Sequence, residues 1–299
     1  MKRKIYLKLL GGLGNQLFQY SCAKNLSIEL KGELIIDDKL GFFFDKNFNR
    51  VKSLPPNLKY SLINYKDLFL FHVLILIKKI FFKNDIFFSF GKHIIIDETV
   101  TKSYINNFLD MVKKYEKIFL VGFFQSEKYF IKNKDTIISK ILANKIKNSY
   151  SKKIKNKITN NSICIGVRMF EEAPVNIKHK FGGIENFSFY NNSINYFKKK
   201  TRKPNFFLYS TLRDKNKIKK NINTQLTIIN NKKITKNSDF EFLLLISSYS
   251  KFIISNSSYY WWGAYLSEHQ RKIKIIVSKK YVNISTLPKR WLKLKNKNF

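Results

Sequence analysis

The stretch Gly11-Gly12-Leu13-Gly14-Asn15-Gln16 stands between a short apolar segment and a run with helical periodicity. Residues 5–10 are typical of a strand, and residues 16–30 place apolar side chains at helical spacing. Residues 34–37 are typical of a second strand. The chain therefore opens with strand, glycine turn, helix and strand, which is the order of a βαβ unit and predicts an α/β fold.

The glycines of this turn indicate one of two roles. They let the backbone approach a ligand closely, with the N–H groups of the following helix free to bind an anion; alternatively, they only make a tight connection. The spacing differs from G-x-G-x-x-G, and the acids near the second strand, Asp37 and Asp38, lie at its end. The pattern thus argues against a dinucleotide-dependent oxidoreductase.

A second alternation of strands and helices begins at residue 163 and continues to residue 277. Between the two series, residues 145–161 are rich in Lys and Asn and lack a clear apolar period, as expected of a helix end and a linker. We therefore predict two Rossmann-like domains facing a cleft, at residues 1–150 and 151–299. Ligands of such folds bind beyond the carboxyl ends of the strands.

The composition sets limits on partners. The 299 residues carry a net charge of +37, which favours an anionic partner such as nucleic acid, a membrane surface or a phosphorylated ligand, or else reflects a biased base composition. The charge is dispersed, and no zinc-finger or RRM signature is present, so nucleic acid is not expected. Two distant cysteines and four scattered histidines predict neither a disulfide framework nor a metal site, and fit a cytoplasmic protein.

The longest apolar run covers residues 68–77, about half the length that a bilayer span requires. Its continuation to residue 90 mixes aromatic residues with lysines. This pattern permits an interfacial helix in peripheral contact with an anionic inner membrane face, or a buried helix or strand. We expect no signal peptide, because the apolar segment after Met1 soon reaches glycines.

Arg168 directly follows the predicted strand of residues 163–167, and its side chain would project into the cleft. A planar guanidinium suits a diphosphate and can offset the charge of a leaving group. The alternative is a surface Arg paired with Glu171 or Glu172.

The turn Ser255-Asn256-Ser257-Ser258 follows another predicted strand and leads into a helix that contains Trp261 and Trp262. Hydroxyl and amide groups at such a turn can cap the helix, bind phosphate oxygens, or do both. The paired tryptophans could form a stacking platform or anchor the helix in the core.

Four segments, taken in order, resemble the signatures of the bacterial α-1,2-fucosyltransferases, glycosyltransferase family 11. They span nearly the whole chain, so the joint match is far more specific than any one of them. The segments are residues 11–20 (GGLGNQLFQY), 122–130 (GFFQSEKYF), 253–264 (IISNSSYYWWGA) and 288–291 (PKRW).

The resemblance implies a GT-B fold and an inverting transfer of fucose from GDP-fucose to the 2-hydroxyl of a galactose in a surface glycan, with no metal or other cofactor. The C-terminal domain would bind the donor and the N-terminal domain the acceptor, which could be lipid-linked or free. By position, Arg168 would bind the β-phosphate of GDP, and Asn15 would lie near the scissile bond. The Gly12–Gly14 turn would lie beside the scissile bond together with Asn15. Phosphate or ribose oxygens would be bound by Asn256, Ser257 and Ser258. The guanine edge would be contacted by Asp239 or Glu241.

One segment departs from the family pattern His-x-Arg-Arg-x-Asp. Gly166 and Met169 replace its His and second Arg, while Arg168 is kept and Glu171 becomes a candidate general base. Two alternative functions remain at this point. One is a glycosyltransferase of the same fold with another nucleotide sugar, and the other is a non-catalytic basic protein that binds nucleic acid or membranes.

Overall fold

The computed structural model describes residues 2–43, 45, 48–101, 103–170, 184–210, 215–229, 239–281 and 283–294. The chain forms two compact units. The first comprises Met1–Ala143 and Asn283–Thr286, and the second comprises Asn144–Val282 and Leu287–Phe299.

The first unit is built on a six-stranded sheet with the order β3-β2-β1-β6-β5-β4. All neighbouring strands pair in parallel except β4, which is antiparallel to β5 at the edge. The strands are β1 (Lys4–Lys8), β2 (Glu33–Asp37), β3 (Ser61–Leu62), β4 (Phe87–Phe90), β5 (His93–Asp97) and β6 (Lys117–Val121). Its helices are α1 (Leu13–Glu29), α2 (Leu40–Phe43), α3 (Tyr65–Phe81), α4 (Phe108–Val112) and α5 (Lys134–Leu142), with 3-10 turns at Glu98–Val100, Glu127–Tyr129, Ile131–Asn133 and Ile284–Thr286.

The second unit has a five-stranded sheet, all parallel, with the order β11-β10-β7-β8-β9. The strands are β7 (Ser162–Val167), β8 (Asn205–Ser210), β9 (Leu226–Ile228), β10 (Lys251–Ile254) and β11 (Lys274–Val277). The helices are α6 (Ser149–Lys155), α7 (Phe187–Lys200), α8 (Lys215–Asn221), α9 (Asp239–Ile246) and α10 (Ser258–Gln270). Since β7 and β10 are adjacent and parallel, the residues that follow them emerge at the same edge of the sheet.

The division between the units differs from the predicted boundary after residue 150. It falls after Ala143, and four residues from near the C-terminus, Asn283–Thr286, return to the first unit. The segment interpreted as a linker contains α6, in which Ile154 is buried. Just before α6, the backbone N–H groups of residues 147 and 148 donate hydrogen bonds to Glu241 of α9. These contacts attach the segment to the second unit. They could not be predicted, because a sequence rich in Lys and Asn has no clear apolar period.

The paired tryptophans lie in the core. Both Trp261 and Trp262 are fully buried, and Trp261 stacks on Tyr265 with a centroid distance of 4.4 Å. Trp291 from the closing motif lies 5.4 Å from Trp261. The anchoring interpretation therefore applies to these side chains, and the stacking platform does not.

Cys22 and Cys164 are both free thiols in the interior. Burial raises the pKa of each thiol well above its ordinary value, which suits small packing residues. Among the described helices, none combines the length and hydropathy that a bilayer crossing requires.

Candidate active site

The glycine turn of the first unit lies between β1 and α1, as predicted. Gly11 has a φ of +70°, and a Cβ there would lie 2.7 Å from the side-chain nitrogen of Asn15. Gly12 is the N-cap residue of α1 and offers no side-chain hydrogen bond. A Cβ on Gly12 would meet nothing closer than 3.8 Å. The turn thus requires glycine at residue 11, whereas Gly12 leaves open space beside the start of the helix.

Two glutamines hold this turn in place. Gln16 is fully buried, and its Nε2 donates to the carbonyl oxygens of Gly11 and Val51, at 2.8 and 2.9 Å. Its Oε1 accepts from the N–H of Ser53 at 2.8 Å. Gln19 exchanges two bonds with the backbone of Leu10. These two motif residues therefore build the turn and leave Asn15 as the half-buried amide of the segment that a ligand could reach.

Asn15 connects the opening motif to the middle motif. Its Oδ1 accepts a hydrogen bond of 2.7 Å from Nε2 of Gln125. The chain reaches Gln125 through a sharp bend, in which Gly122 has a φ of +135° and Phe124 a φ of +50°. This bend follows the end of β6 at Val121. Nothing in the isolated sequence indicated that Gln125 would be the partner of Asn15.

A buried carboxyl supports the same bend. Glu98 accepts from the N–H of Phe123 at 3.0 Å and from the side chain of Asn283 at 3.3 Å. A Cβ on Gly122 would lie 2.7 Å from Glu98 Cβ, so only glycine allows this approach. Burial raises the pKa of Glu98 to about 7, against the lowering effect of its hydrogen bonds. The predicted site did not include this residue, because a single Glu after a short strand carries no signature.

In the second unit, Arg168 follows β7 and lies beside the turn that follows β10. The backbone N–H of Arg168 donates to Oγ of Ser255 at 2.9 Å, and that hydroxyl donates to the carbonyl oxygen of Gly166 at 3.1 Å. The half-buried guanidinium lies over the ring of Phe170, with 4.6 Å between Cζ and the ring centroid. Ser255, which was not among the predicted site residues, is thus the residue that links the two strand ends.

Ser257 is the N-cap residue of α10, and its side chain accepts from the N–H of Tyr260. The Tyr281 hydroxyl accepts from the N–H of Ser257 at 3.2 Å and donates to the carbonyl oxygen of Ser255 at 3.0 Å. Asn256 is buried as well, and Ser258 is half-buried. The turn is therefore a rigid scaffold whose capping role is visible, and its proposed phosphate contacts remain predictions.

The departure at Gly166 has a steric reason. A Cβ at this position would lie 2.5 Å from Cγ of the Tyr260 ring, so the ring occupies the space of a side chain at residue 166. Tyr260 is itself buried and belongs to the first turn of α10. Gly166 and Tyr260 thus form a matched pair, and a histidine at residue 166 would require the ring to move.

The remaining predicted residues differ in their surroundings. One carboxylate oxygen of Glu241 accepts from the N–H groups of Lys147 and Asn148, at 3.0 and 2.8 Å, which gives this residue a structural role. Asp239 is exposed at the start of α9. Gly14 is buried in the first turn of α1. Glu171, the candidate base, lies outside the described residues. Within the described part of the chain, no group of three or more His, Cys, Asp or Glu side chains could hold a metal ion.

Two Rossmann-like α/β units are the components of a GT-B fold, and the likeness to a solved structure supports that fold. Arabidopsis thaliana FUT1 in complex with GDP matches with a TM-score of 0.50 at 11% identity, over 93% of this chain and 70% of that one. The fold class is therefore GT-B with two Rossmann-like units, as predicted.

The family model named Glycosyl transferase family 11 matches residues 4–291, and the chain belongs to that family. It is 26% identical to the Escherichia coli alpha-1,2-colitosyltransferase over 277 residues, covering 91% of this chain and 90% of the relative. It is also 26% identical to the Escherichia coli O-antigen biosynthesis glycosyltransferase WbnK, covering 98% and 97%. The protein is a glycosyltransferase, and the resemblance drawn from its four motifs is confirmed.

Proposed function

We propose that this enzyme transfers fucose from GDP-fucose to the 2-hydroxyl of a galactose in a surface glycan, with inversion at the anomeric carbon. The observation that carries the proposal is the placement of Arg168 at the carboxyl end of β7, fixed to the Ser255 turn through its backbone. Ligands of open α/β sheets bind at this edge. The family membership and the 1,2 linkage in the name of one relative support the reaction class.

In the proposed mechanism the guanidinium of Arg168 binds the β-phosphate of GDP. As the bond to fucose breaks, negative charge accumulates on the diphosphate, and a fixed cation stabilises that charge. The hydroxyl groups of Ser257 and Ser258 and the amide of Asn256 donate to phosphate or ribose oxygens. Since the protein supplies these groups itself, the proposed reaction uses no metal or other cofactor.

Asn15 is proposed to lie near the scissile bond, with Gly12 and Gly14 allowing close approach of the sugar. The hydrogen bond from Gln125 fixes the orientation of the Asn15 amide, which supports a positioning or charge-stabilising role. We propose Glu171 as the base that accepts the proton of the acceptor hydroxyl. Asp239 is the better candidate for the guanine edge, because one oxygen of Glu241 already binds two backbone N–H groups.

A second donor is proposed for testing beside the first, because two observations favour it. One relative is named as a colitosyltransferase, and Gly166, packed against the Tyr260 ring, replaces the histidine of the family pattern. Nucleotide-linked colitose would use the same diphosphate contacts. The acceptor is proposed to be a glycan, lipid-linked or free, that is modified in the cytoplasm. A non-catalytic binding role loses its support once the chain is placed in a glycosyltransferase family.

The test is a donor panel in the presence of EDTA, with GDP-fucose, GDP-colitose, GDP-mannose and UDP-galactose against galactose-terminated acceptors. We expect turnover with GDP-fucose, no loss of rate on chelation, and an α-1,2 linkage in the product by NMR. Turnover with GDP-colitose alone would select the second donor. A requirement for manganese, or transfer only from a UDP-sugar, would contradict the proposed chemistry.

A further inference from the structure

Helix α3 packs one face into the core of the first unit. Phe71, Leu74 and Ile75 join the cluster that includes Tyr6 and Phe119. Lys78 lies on the same buried face, where it forms an ion pair of 3.3 Å with Asp97 of β5. Because this buried pair and the packed side chains fix the rotation of the helix, the opposite face has one defined orientation.

That opposite face is also apolar. Tyr65, Phe69, Leu76 and Ile80 follow each other at intervals of four and seven residues, which places them on one side of a helix. Each is between 45% and 80% exposed. Scattered exposed apolar residues are ordinary, but a continuous stripe of large ones marks a surface that binds something.

Further aromatic residues lie at and after the C-terminal end of α3. Phe82 stacks on Phe88 of the edge strand β4, with ring centroids 4.6 Å apart. Phe81 and Phe90 are both 71% exposed. We call the stripe formed by Tyr65, Phe69, Leu76 and Ile80 the α3 face.

The charges around the α3 face are predominantly positive. Lys66, Lys79 and Lys83 are exposed beside the stripe. Residues 61–92 contain two acids, and one of them, Asp67, is buried and pairs with Lys117 at 3.2 Å. An apolar stripe with aromatic rings and flanking lysines is the pattern of a helix that lies in the interface of an anionic bilayer.

We propose that the α3 face docks on an anionic lipid bilayer, with α3 parallel to the membrane plane. The charge of the surface selects this occupant, since a second copy of a chain with a net charge of +37 would bring lysines against lysines. The proposed function supplies the reason for such docking, because a lipid-linked glycan acceptor would be presented at a membrane surface. The docking itself does not depend on that function.

The experiment is co-sedimentation of the full chain with vesicles of phosphatidylcholine, alone or with about a third of phosphatidylglycerol. We expect binding to the anionic vesicles only, weakening as salt rises from roughly 0.05 to 0.3 M. The double variant Phe69→Ser/Ile80→Ser should lower the partition coefficient about tenfold, since each loses exposed apolar area that would enter the interface. Lys66→Gln/Lys79→Gln should remove most of the preference for anionic lipid.

Two matched controls carry the same changes elsewhere. Val51→Ser/Ile131→Ser alters exposed apolar residues outside the face, and Lys152→Gln/Lys153→Gln alters exposed lysines of α6. Both controls should bind vesicles as the parent does. Equal losses in the controls and the face variants would overturn the proposal in favour of diffuse attraction, as would absence of binding by the parent.

Two further readouts separate docking from catalysis. The face variants should keep the parent's melting temperature, its stabilisation by GDP and its turnover on a soluble acceptor. Sedimentation velocity should show the parent as a monomer without vesicles. A parent dimer that the Phe69→Ser/Ile80→Ser variant dissociates would identify a second copy as the occupant and overturn the proposal. Failure of the donor assay alone would leave the vesicle result intact.

Discussion

The turns Gly11–Gly14 and Ser255–Ser258 occupy equivalent places in the two units, between a parallel strand and a helix, yet they are built in opposite ways. The glycine turn has no side-chain cap on α1, and hydrogen bonds from the side chains of Gln16 and Gln19 to the backbone of Gly11 and Leu10 hold it in place. The serine turn caps α10 with its own side chain and is tied to β7 by Ser255. One turn leaves its backbone open, whereas the other uses its side chains to stay rigid.

This difference shows that some motif residues shape the turns and are distinct from those proposed to bind the ligand. Gln16, Gln19 and Ser255 have their polar groups engaged within the protein. The side chains proposed to contact the ligand are Asn15 in the first unit and Arg168, Asn256, Ser257 and Ser258 in the second. Substitutions of residues that shape a turn should therefore mainly lower stability, whereas substitutions of residues proposed to bind the ligand should mainly lower turnover.

The largest of the effects at the turns is expected at Asn15. Asn15→Ala should lower kcat by about 10²-fold or more, as loss of a preorganised polar group near a reacting centre does. Gln125→Ala removes only the partner that orients Asn15, so a smaller loss, mainly in kcat, is expected. The measurement is steady-state kinetics with the donor that the panel identifies.

The same helix provides a matched control for this pair. Asn25 and Asn133 form another amide–amide hydrogen bond of 2.9 Å, at a distance along α1 from the glycine turn. Asn25→Ala should lower the melting temperature and leave kcat unchanged. An equal loss of kcat in Asn25→Ala would show that the Asn15 effect reflects helix stability.

Two glycine substitutions separate the open turn from the packed strand. Gly166→Ala forces a Cβ against the Tyr260 ring, so the free energy of unfolding should fall by roughly 1–3 kcal/mol. Gly12→Ala meets no close atom, and it should keep stability while weakening donor turnover, because the methyl group occupies the space proposed for the ligand. Denaturant unfolding and kinetics on both variants check this contrast. Unchanged turnover in Gly12→Ala would remove that turn from the proposed site.

The smallest effect concerns pH and Glu98. Its folded-state pKa is raised to about 7, so the folded protein keeps this carboxyl protonated where the unfolded chain ionises it near 4.5. The contribution to stability is therefore fully present below about pH 4.5 and is lost as the pH rises to about 7.

Glu98→Gln should flatten this part of the stability–pH profile, measured by denaturant unfolding between about pH 5 and 8. Glu116→Gln is the control, because Lys92 holds the pKa of that partly exposed carboxyl below its usual range, and it should leave the profile unchanged. A Glu98→Gln profile parallel to the parent would show that the carboxyl is ionised in the folded protein.

Part of the fold was predictable because several strands are short and apolar and are followed by glycine, serine or asparagine. The βαβ opening, the strand before Arg168 and the helix after Ser257 all lie within a few residues of their predicted places. The edge strand β4 was not predicted, because its exposed phenylalanines follow neither strand nor helix periodicity. Helix α3 was ambiguous for the related reason that it is apolar on two faces.

The site was predictable as a set of motifs and less so as a set of contacts. Resemblance indicated Arg168, Asn15 and the serine turn, and the structure brings Arg168 to that turn within its unit. The roles of Gln125 and Glu98 depend on contacts across β6 and the bend after it, which no local pattern encodes. The presence of Gly166 where the family pattern has a histidine is explained by the Tyr260 ring, which fills the space of a side chain at residue 166.

The most direct test of the central claim is the kcat/KM of Arg168→Ala for the nucleotide-sugar donor, beside Arg202→Ala, which alters an exposed arginine of the same unit. Loss of the cation that stabilises the departing diphosphate should lower kcat/KM by about 10²–10³-fold, with the parent's melting temperature and without GDP-dependent stabilisation. Arg202→Ala should behave as the parent. Parent-like turnover and GDP stabilisation in Arg168→Ala would contradict the assignment of the diphosphate site to the carboxyl end of β7.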